Sequence, residues 1–215
     1  MLLVYKNGDI LMTEMPRYSA NKIVQTIEKR FLELANLDGD LSIMPMPKEH
    51  HLQVLTNKEK SDSFGEVFTP IWLVDEMLQR VSDYDWKNQE KVTLDLCAGY
   101  GQFTVRMLRK KFSVLGRKFD ALKFLFEKHY FSELQLSSCY KLLYIYSGNI
   151  NLFIGDSKEL KSLPDECSGI YYHNGKEWIS CTESVQEFLG EPKRKYSVKN
   201  ETEFVEFMQG LIDES

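Results

Sequence analysis

Two periodicities divide this chain. LLVYKNGDILM, residues 2–12, reads as two short strands about an Asn-Gly turn, because both residues tolerate the positive φ that a tight hairpin demands. From Ser19 to Leu37 the period changes, and Ile23, Ile27, Phe31 and Leu34 fall on one face of an amphipathic helix. Asp38 to Ser63 is polar, carries Pro45 and Pro47, and reads as a long connection. Thr69-Pro70 then opens a second helix, with Thr69 as its cap, Pro70 in its first position and Ile71, Val74, Met77 and Leu78 as its buried stripe. VTLDL, residues 92–96, predicts a strand, and Gln102 to Lys111 a helix that starts just past two glycines. Phe119 to Lys128 predicts a further helix, while HYFSEL, the apolar run to Tyr146 and INLFIGD predict strand, helix and strand. Such alternation belongs to an α/β fold built on a doubly wound parallel sheet.

Composition changes this picture little. With 43% hydrophobic and 27% charged residues, a chain of 215 residues buries a core without staples. The formal charge of −5 gives no global signature of nucleic-acid binding, so any contact with DNA has to be local. Arg106, Arg109, Lys110, Lys111, Arg117, Lys118 and Lys123 cluster in sequence, yet a run of this kind is most often the solvated face of a helix. Cys97, Cys139, Cys167 and Cys181 are scattered without C-x-x-C or histidine spacing, which predicts neither a metal site nor a disulfide framework. MLLVY is too short for a signal sequence and no apolar run is long enough to span a bilayer. The expectation is a soluble, cytoplasmic protein with no membrane partner.

The candidate chemistry lies in LDLCAGYGQF, residues 94–103. A strand that ends, turns tightly and starts a helix directs free N–H groups at whatever sits above the sheet, and Gly99 and Gly101 allow close approach of the backbone. In the dinucleotide-binding turn a third glycine follows and no acid precedes; here Thr104 holds the third position and Asp95 stands before the loop. A carboxylate there repels a pyrophosphate and attracts an ammonium group. S-adenosylmethionine, which carries an ammonium and a carboxylate on one carbon, suits both the acid and the loop.

GEVFTPIWLVDEML followed by TLDLCAGYGQFTVRML resembles the adenine-specific DNA methyltransferases, in which an F-T-P segment and a D-x-x-x-G-x-G loop line the cofactor pocket. FSELQLSSCYKLLYIY is similar to the family's second strand, whose acid, here Glu133, bonds the ribose hydroxyls. INLFIGDSKEL is similar to the third, with Asp156 placed to accept from the adenine amino group. The resemblance spans about Phe64 to Leu160 and implies a Rossmann-like class I methyltransferase fold. Its cofactor site would comprise Phe68, Thr69, Pro70, Asp95, Cys97, Ala98, Gly99, Gly101, Glu133 and Asp156. Each has a plainer reading: Thr69-Pro70 as a helix start, Glu133 as a solvated strand-end charge, Asp156 as a cap for the turn at Ser157, and Phe68 and Tyr100 as core or rim aromatics.

The catalytic half of the family's pattern is missing. Methylating an exocyclic amine uses an Asn or Asp, two prolines and an aromatic to free the lone pair and hold the flipped base. The six prolines of this chain are never adjacent. Where the segment should fall stands GIYYHNGKEWIS, which reads either as a decayed site with Asn174 as the surviving amide and Trp178 as the displaced aromatic, or as an Asn-Gly hairpin. The stretch after Asp156 is also too short for four further strands and a target-recognition region, so the sheet is expected to be incomplete on its C-terminal side.

The chain thus divides into residues 1–63, a hairpin, helix and linker; 64–165, the cofactor-binding part; and 166–215, a hairpin and an amphipathic helix with Phe204, Phe207, Met208 and Leu211. Three functions are open: a DNA methyltransferase homologue, active if a protein partner supplies the missing catalytic turn or if Asn174 serves in its place; a non-catalytic module that contacts another protein or nucleic acid; and a small-molecule methyltransferase.

Overall fold

A computed structural model describes residues 5–6, 9–10, 17–34, 69–116, 120–161, 168–190 and 201–215. Strands β1 (Tyr5–Lys6) and β2 (Asp9–Ile10) pair antiparallel with Lys6 opposite Asp9, as the hairpin reading requires. Helix α1 (Arg17–Leu34) buries Ala20, Val24, Ile27 and Phe31, a stripe rotated slightly from the expected one, with Ile23 and Leu34 at its margin. Phe68, the 38–63 connection, Arg117, Lys118 and Cys167 lie outside the described residues.

Helices α2 (Ile71–Gln79) and α3 (Asp83–Lys87) precede the main sheet. Pro70 occupies the cap position of α2 rather than its first turn, and no side chain caps it. Val74 is buried as expected, but Met77 points outward and is 47% exposed. Strand β3 (Thr93–Leu96), helix α4 (Gln102–Val114), helix α5 (Asp120–Lys123) with a π-helical turn at Phe124–Lys128, strand β4 (His129–Glu133), helix α6 (Leu136–Tyr146) and strand β5 (Asn151–Ile154) follow in chain order. After a 3-10 turn at Ser157–Glu159 come β6 (Ile170–His173), β7 (Trp178–Ser180), α7 (Thr182–Leu189) and α8 (Glu201–Asp213).

The sheet order is β3-β4-β5-β6-β7, parallel except for the β6–β7 hairpin. The α/β class and the parallel sheet are therefore as anticipated. The order runs one way, however, and the reversal that makes a sheet doubly wound is not among the described strands. Right-handed crossovers in a one-way order place α4 and α6 on one face. Pairing register puts Asp95, Phe131, Leu152, Ile154, Ile170 and Tyr172 on that face, while Tyr130, Phe153 and Tyr171 stack on the other.

Helix α6 is apolar on almost every side because it is covered on almost every side. Tyr140, Leu142, Leu143, Ile145 and Tyr146 are all buried. Arg30 of α1 donates to the carbonyl of Tyr144 at 2.8 Å and to Ser147 Oγ at 2.6 Å, satisfying groups at the C-terminal end of α6. Phe204 of α8 packs against Tyr140 on α6. At the other end of the sheet, buried Asn151 donates to the carbonyls of Phe126 and His129 and accepts from Gly169, locking β4, β5 and β6 in register.

Three members of the basic cluster, Arg106, Arg109 and Lys111, are engaged within the fold, while Lys110 is exposed. Arg106 grips Asp75 of α2 with two bonds of 2.6 Å, Arg109 pairs with Glu28 of α1, and Lys123 pairs with Glu127. Lys111 is buried, donates to the carbonyl of Asn88 and lies 4.7 Å from the centre of the Phe124 ring; burial pulls its ammonium below the usual lysine range. Arg106, Arg109 and Lys111 thereby fasten α4 to its neighbours, while the Lys123–Glu127 pair stays local to the α5 turn.

Candidate functional site

The carboxyl ends of β3, β4, β5 and β6 share one rim, the edge at which open parallel sheets bind ligands. Past Leu96 the chain takes positive φ at Cys97 (57°), Gly99 (55°) and Gly101 (76°). The N–H of Ala98 extends the ladder to the carbonyl of Ser132, and that of Gly101 closes on the carbonyl of Ala98. The left-handed Gly101 then starts α4. A Cβ there would meet Leu142 Cδ2 and the Tyr146 hydroxyl, each at 3.0 Å, so this glycine is demanded by the approach of α6 as well as by φ. Gly101→Ala is expected to cost about 2–3 kcal/mol, read as a lowered urea midpoint at unchanged slope.

Two carboxylates flank the loop. Glu133, at the end of β4, is buried and accepts from the N–H groups of Gly99 and Gln135, both at 2.8 Å. It is thus a clasp on the loop, and the solvated-charge reading does not describe it. Asp95 points to the helical face, where the Thr104 hydroxyl lies 2.9 Å from Oδ2 and the Thr104 N–H also bonds it. Its carboxyl is lifted to about 7, chiefly by burial; the Thr104 hydroxyl opposes the lift and the charge of Glu133 adds to it.

Thr104 extends the polar chain inward. Its hydroxyl is 2.7 Å from Nε2 of His129, whose Nδ1 is 2.7 Å from the Thr93 hydroxyl. His129 is 0% exposed and packs edge-on against Phe131 and tilted against Phe124. Burial holds its imidazole down to about 3, so the ring is neutral at ordinary pH. Sequence reading passed over His129 because only the register that sets Thr93 opposite it reveals the contact. Thr104 was visible only as the place of a missing glycine.

The remaining candidates sit along the same rim or behind it. Asp156 is exposed and its Oδ1 accepts from the N–H of Lys158 at 3.0 Å, the capping role that was its plainer reading. Cys97 is exposed, with Sγ 3.6 Å from Ser157 Oγ, so the loop and the β5 end touch; Ala98 is buried in the core. Tyr100 carries the Lys141 ammonium 4.4 Å from its ring centre. Thr69 and Pro70 are half-buried ahead of α2, and the hydrogen bonds found among the described residues do not tie them to the loop.

Asn174 forms the β6–β7 turn. Its Oδ1 accepts from the N–H groups of Lys176 and Glu177, both at 3.0 Å, and its own N–H donates to the Glu177 carbonyl. Trp178 begins β7, packs edge-on against Phe153 and donates to the Glu159 carbonyl. Three strand spacings, about 14 Å, separate β6 from β3. The hairpin reading of GIYYHNGKEWIS is the one this geometry displays.

Among the described residues no group of three or more His, Cys, Asp or Glu side chains could hold a metal ion, and no helix is long and apolar enough to cross a membrane. Compared with protein-family models, with curated proteins and with solved structures, the chain matches none.

Proposed function

We propose that this chain binds S-adenosylmethionine at the glycine loop, in a Rossmann-like methyltransferase-type domain that lacks its catalytic turn. The observation that carries the reading is the placement of two acids from adjacent parallel strands about one left-handed glycine turn at the carboxyl rim, Glu133 bonded to the Gly99 N–H and Asp95 to Thr104 in the first turn of α4. The donor and acceptor set suits the molecule. Asp95 would take the ammonium group, Glu133 retains lone pairs for ribose hydroxyls, and Asp156, with Phe68 and Thr69, would meet the adenine. Gly99 and Gly101 would let the backbone come close, with Cys97 and Ala98 shaping the turn and Pro70 fixing the entry of α2. The bound cofactor would supply an electrophilic methyl group.

Among the described residues that methyl meets no evident acceptor site. Asn174 spends its side-chain oxygen on turn N–H groups, about three strands away from Asp95. This favours a cofactor-retaining binding module that acts through a protein or DNA partner over an enzyme acting alone. Radiolabel transfer from the cofactor to mixed-sequence DNA by the isolated chain is expected to stay at background; incorporation that rises with protein concentration would restore the enzyme.

Binding itself is tested by calorimetry at pH 7.5 with the wild type and Asp95→Ala. A saturable isotherm lost in the variant supports the reading, and no heat from either protein removes it. Because Asp95 holds a proton below about pH 7 and an ammonium needs the carboxylate, affinity is expected to fall more than tenfold between pH 7.5 and 5.5.

A further inference from the structure

We propose that Asp95, Thr104, His129 and Thr93 form a reversible hydrogen-bond relay, with His129 a positioning residue for Asp95: loss of the Asp95 proton reverses every donor in the chain and moves the single ring hydrogen of His129 from Nδ1 to Nε2.

The geometry allows two consistent arrangements. Each of the three links, Asp95 Oδ2 to Thr104 Oγ1, Thr104 Oγ1 to His129 Nε2, and His129 Nδ1 to Thr93 Oγ1, is a single contact of 2.9, 2.7 and 2.7 Å. A hydroxyl has one hydrogen, and a neutral imidazole has one N–H and one acceptor nitrogen. When Asp95 is protonated, its O–H donates to Thr104, Thr104 donates to Nε2, and Nδ1–H donates to Thr93. When Asp95 is ionised it must accept, so Thr104 turns its hydrogen to Oδ2, Nε2–H donates to Thr104, and the Thr93 hydroxyl donates to Nδ1. Counted over the relay, one proton leaves: the carboxyl releases it to solvent, each hydroxyl keeps one hydrogen and the ring keeps one N–H.

With the Asp95 proton on Oδ2, the oxygen that meets Thr104, burial couples the remaining links. His129 is 0% exposed and Thr104 is equally enclosed, so water offers neither an alternative partner. An arrangement with two donors or two acceptors facing each other would leave a buried group unmade. The neutral state of the ring removes the third possibility, an imidazolium donating both ways. Among the described residues few other charges bear on the relay. Asp95 is faced by Glu133 of β4 and the Tyr146 phenol of α6, which burial and then Asp95 push well above the usual tyrosine range; on the His129 side the Lys111 ammonium of α4 lies beyond the Phe124 ring. Asp95, lifted to about 7 chiefly by burial, is the group whose proton sets the relay.

The relay depends on Asp95 titrating and not on which ligand meets it, so it goes beyond the cofactor reading. Its consequence for that reading is that a cation arriving at the loop resets a side chain on the far side of Thr104.

Nitrogen NMR of protein labelled in its histidines tests it. His129 is assigned by its absence from the spectrum of His129→Gln. Between pH 5.5 and 8.5 the protonated ring nitrogen of the wild type is expected to switch from Nδ1 to Nε2, with the ring neutral throughout and a midpoint equal to the carbon-detected titration of Asp95. In Thr104→Val, Asp95 should still titrate while His129 keeps one tautomer at every pH; Thr104→Ser should restore the switch. A single tautomer in the wild type while Asp95 titrates, an Asp95 that stays in one state across the range, or a ring that becomes charged near pH 6.5 would each overturn the proposal. If the valine variant does not fold, the wild-type series decides alone. A protein that shows the switch but gives no heat with S-adenosylmethionine loses the cofactor reading and keeps the relay.

Discussion

Asparagine in place of Asp95 is expected to raise the stability of the fold at pH 8 by about 2–4 kcal/mol and to change it little near pH 4. Burial first, and the charge of Glu133 after it, lift this carboxyl to about 7 against the pull of the Thr104 hydrogen bonds, while in the unfolded chain it ionises at 3.8. The folded state therefore holds a proton that the unfolded state has released across that window. The stability this confers is full below about pH 4, declines as pH rises, and is gone above about 7. Asparagine stays neutral and its amide oxygen can still accept from Thr104, so the variant keeps at pH 8 what the wild type has lost. The same change removes the partner of the proposed ammonium group. Urea unfolding at pH 4, 6 and 8 checks the first effect and calorimetry the second. A residue retained only to cap α4 would behave oppositely, and a variant less stable than wild type at pH 8 contradicts the electrostatic account.

His129 supplies the reverse slope. Its imidazole ionises at about 3 in the fold and at 6.5 in a free chain, solely because it is buried. Stability tied to the neutral ring is complete above about pH 6.5 and is lost as pH falls toward 3, up to about 5 kcal/mol at the acid end. Between about pH 4 and 6.5 the fold holds one proton more at Asp95 and one fewer at His129 than the unfolded chain, so their contributions cancel. Each substitution should expose the other slope. His129→Gln, which keeps a neutral donor and acceptor, is expected to lose stability with rising pH at about 1.4 kcal/mol per unit, and Asp95→Asn to gain it at a similar rate. Equal slopes in the two variants would show that the pair is not opposed in this way.

Much of this arrangement is legible in the residues. The step from VTLDL through two glycines to Gln102 marked the strand, the turn and the helix in the right places, because strand and helix periods differ and glycine takes the left-handed conformation of positions 99 and 101 without a Cβ penalty. Glu133 and Asp156 fell at strand ends for the same reason. Helix α3 and helix α7 escaped notice, each being too short to show a period. Sheet order was not legible: the β5–β6 pairing follows from packing between segments distant in sequence, and it decides how far Asn174 stands from Asp95. The polar chain from Asp95 to Thr93 was hidden likewise, since it joins β3, α4 and β4 through contacts 25 and 36 residues apart. The basic run looked like a surface and instead proved to include the buried Lys111 and the Asp75–Arg106 clamp, because the partners lie on other helices.

The central claim is that the turn between β3 and α4, with its two acids, is a seat for S-adenosylmethionine. The most direct measurement is a structure determined with that molecule in excess at pH 7.5. The account predicts its amino group within hydrogen-bonding distance of an Asp95 oxygen and its ribose hydroxyls on Glu133. A loop still closed by the Gly99–Glu133 bond, with the molecule absent or bound elsewhere, would contradict it.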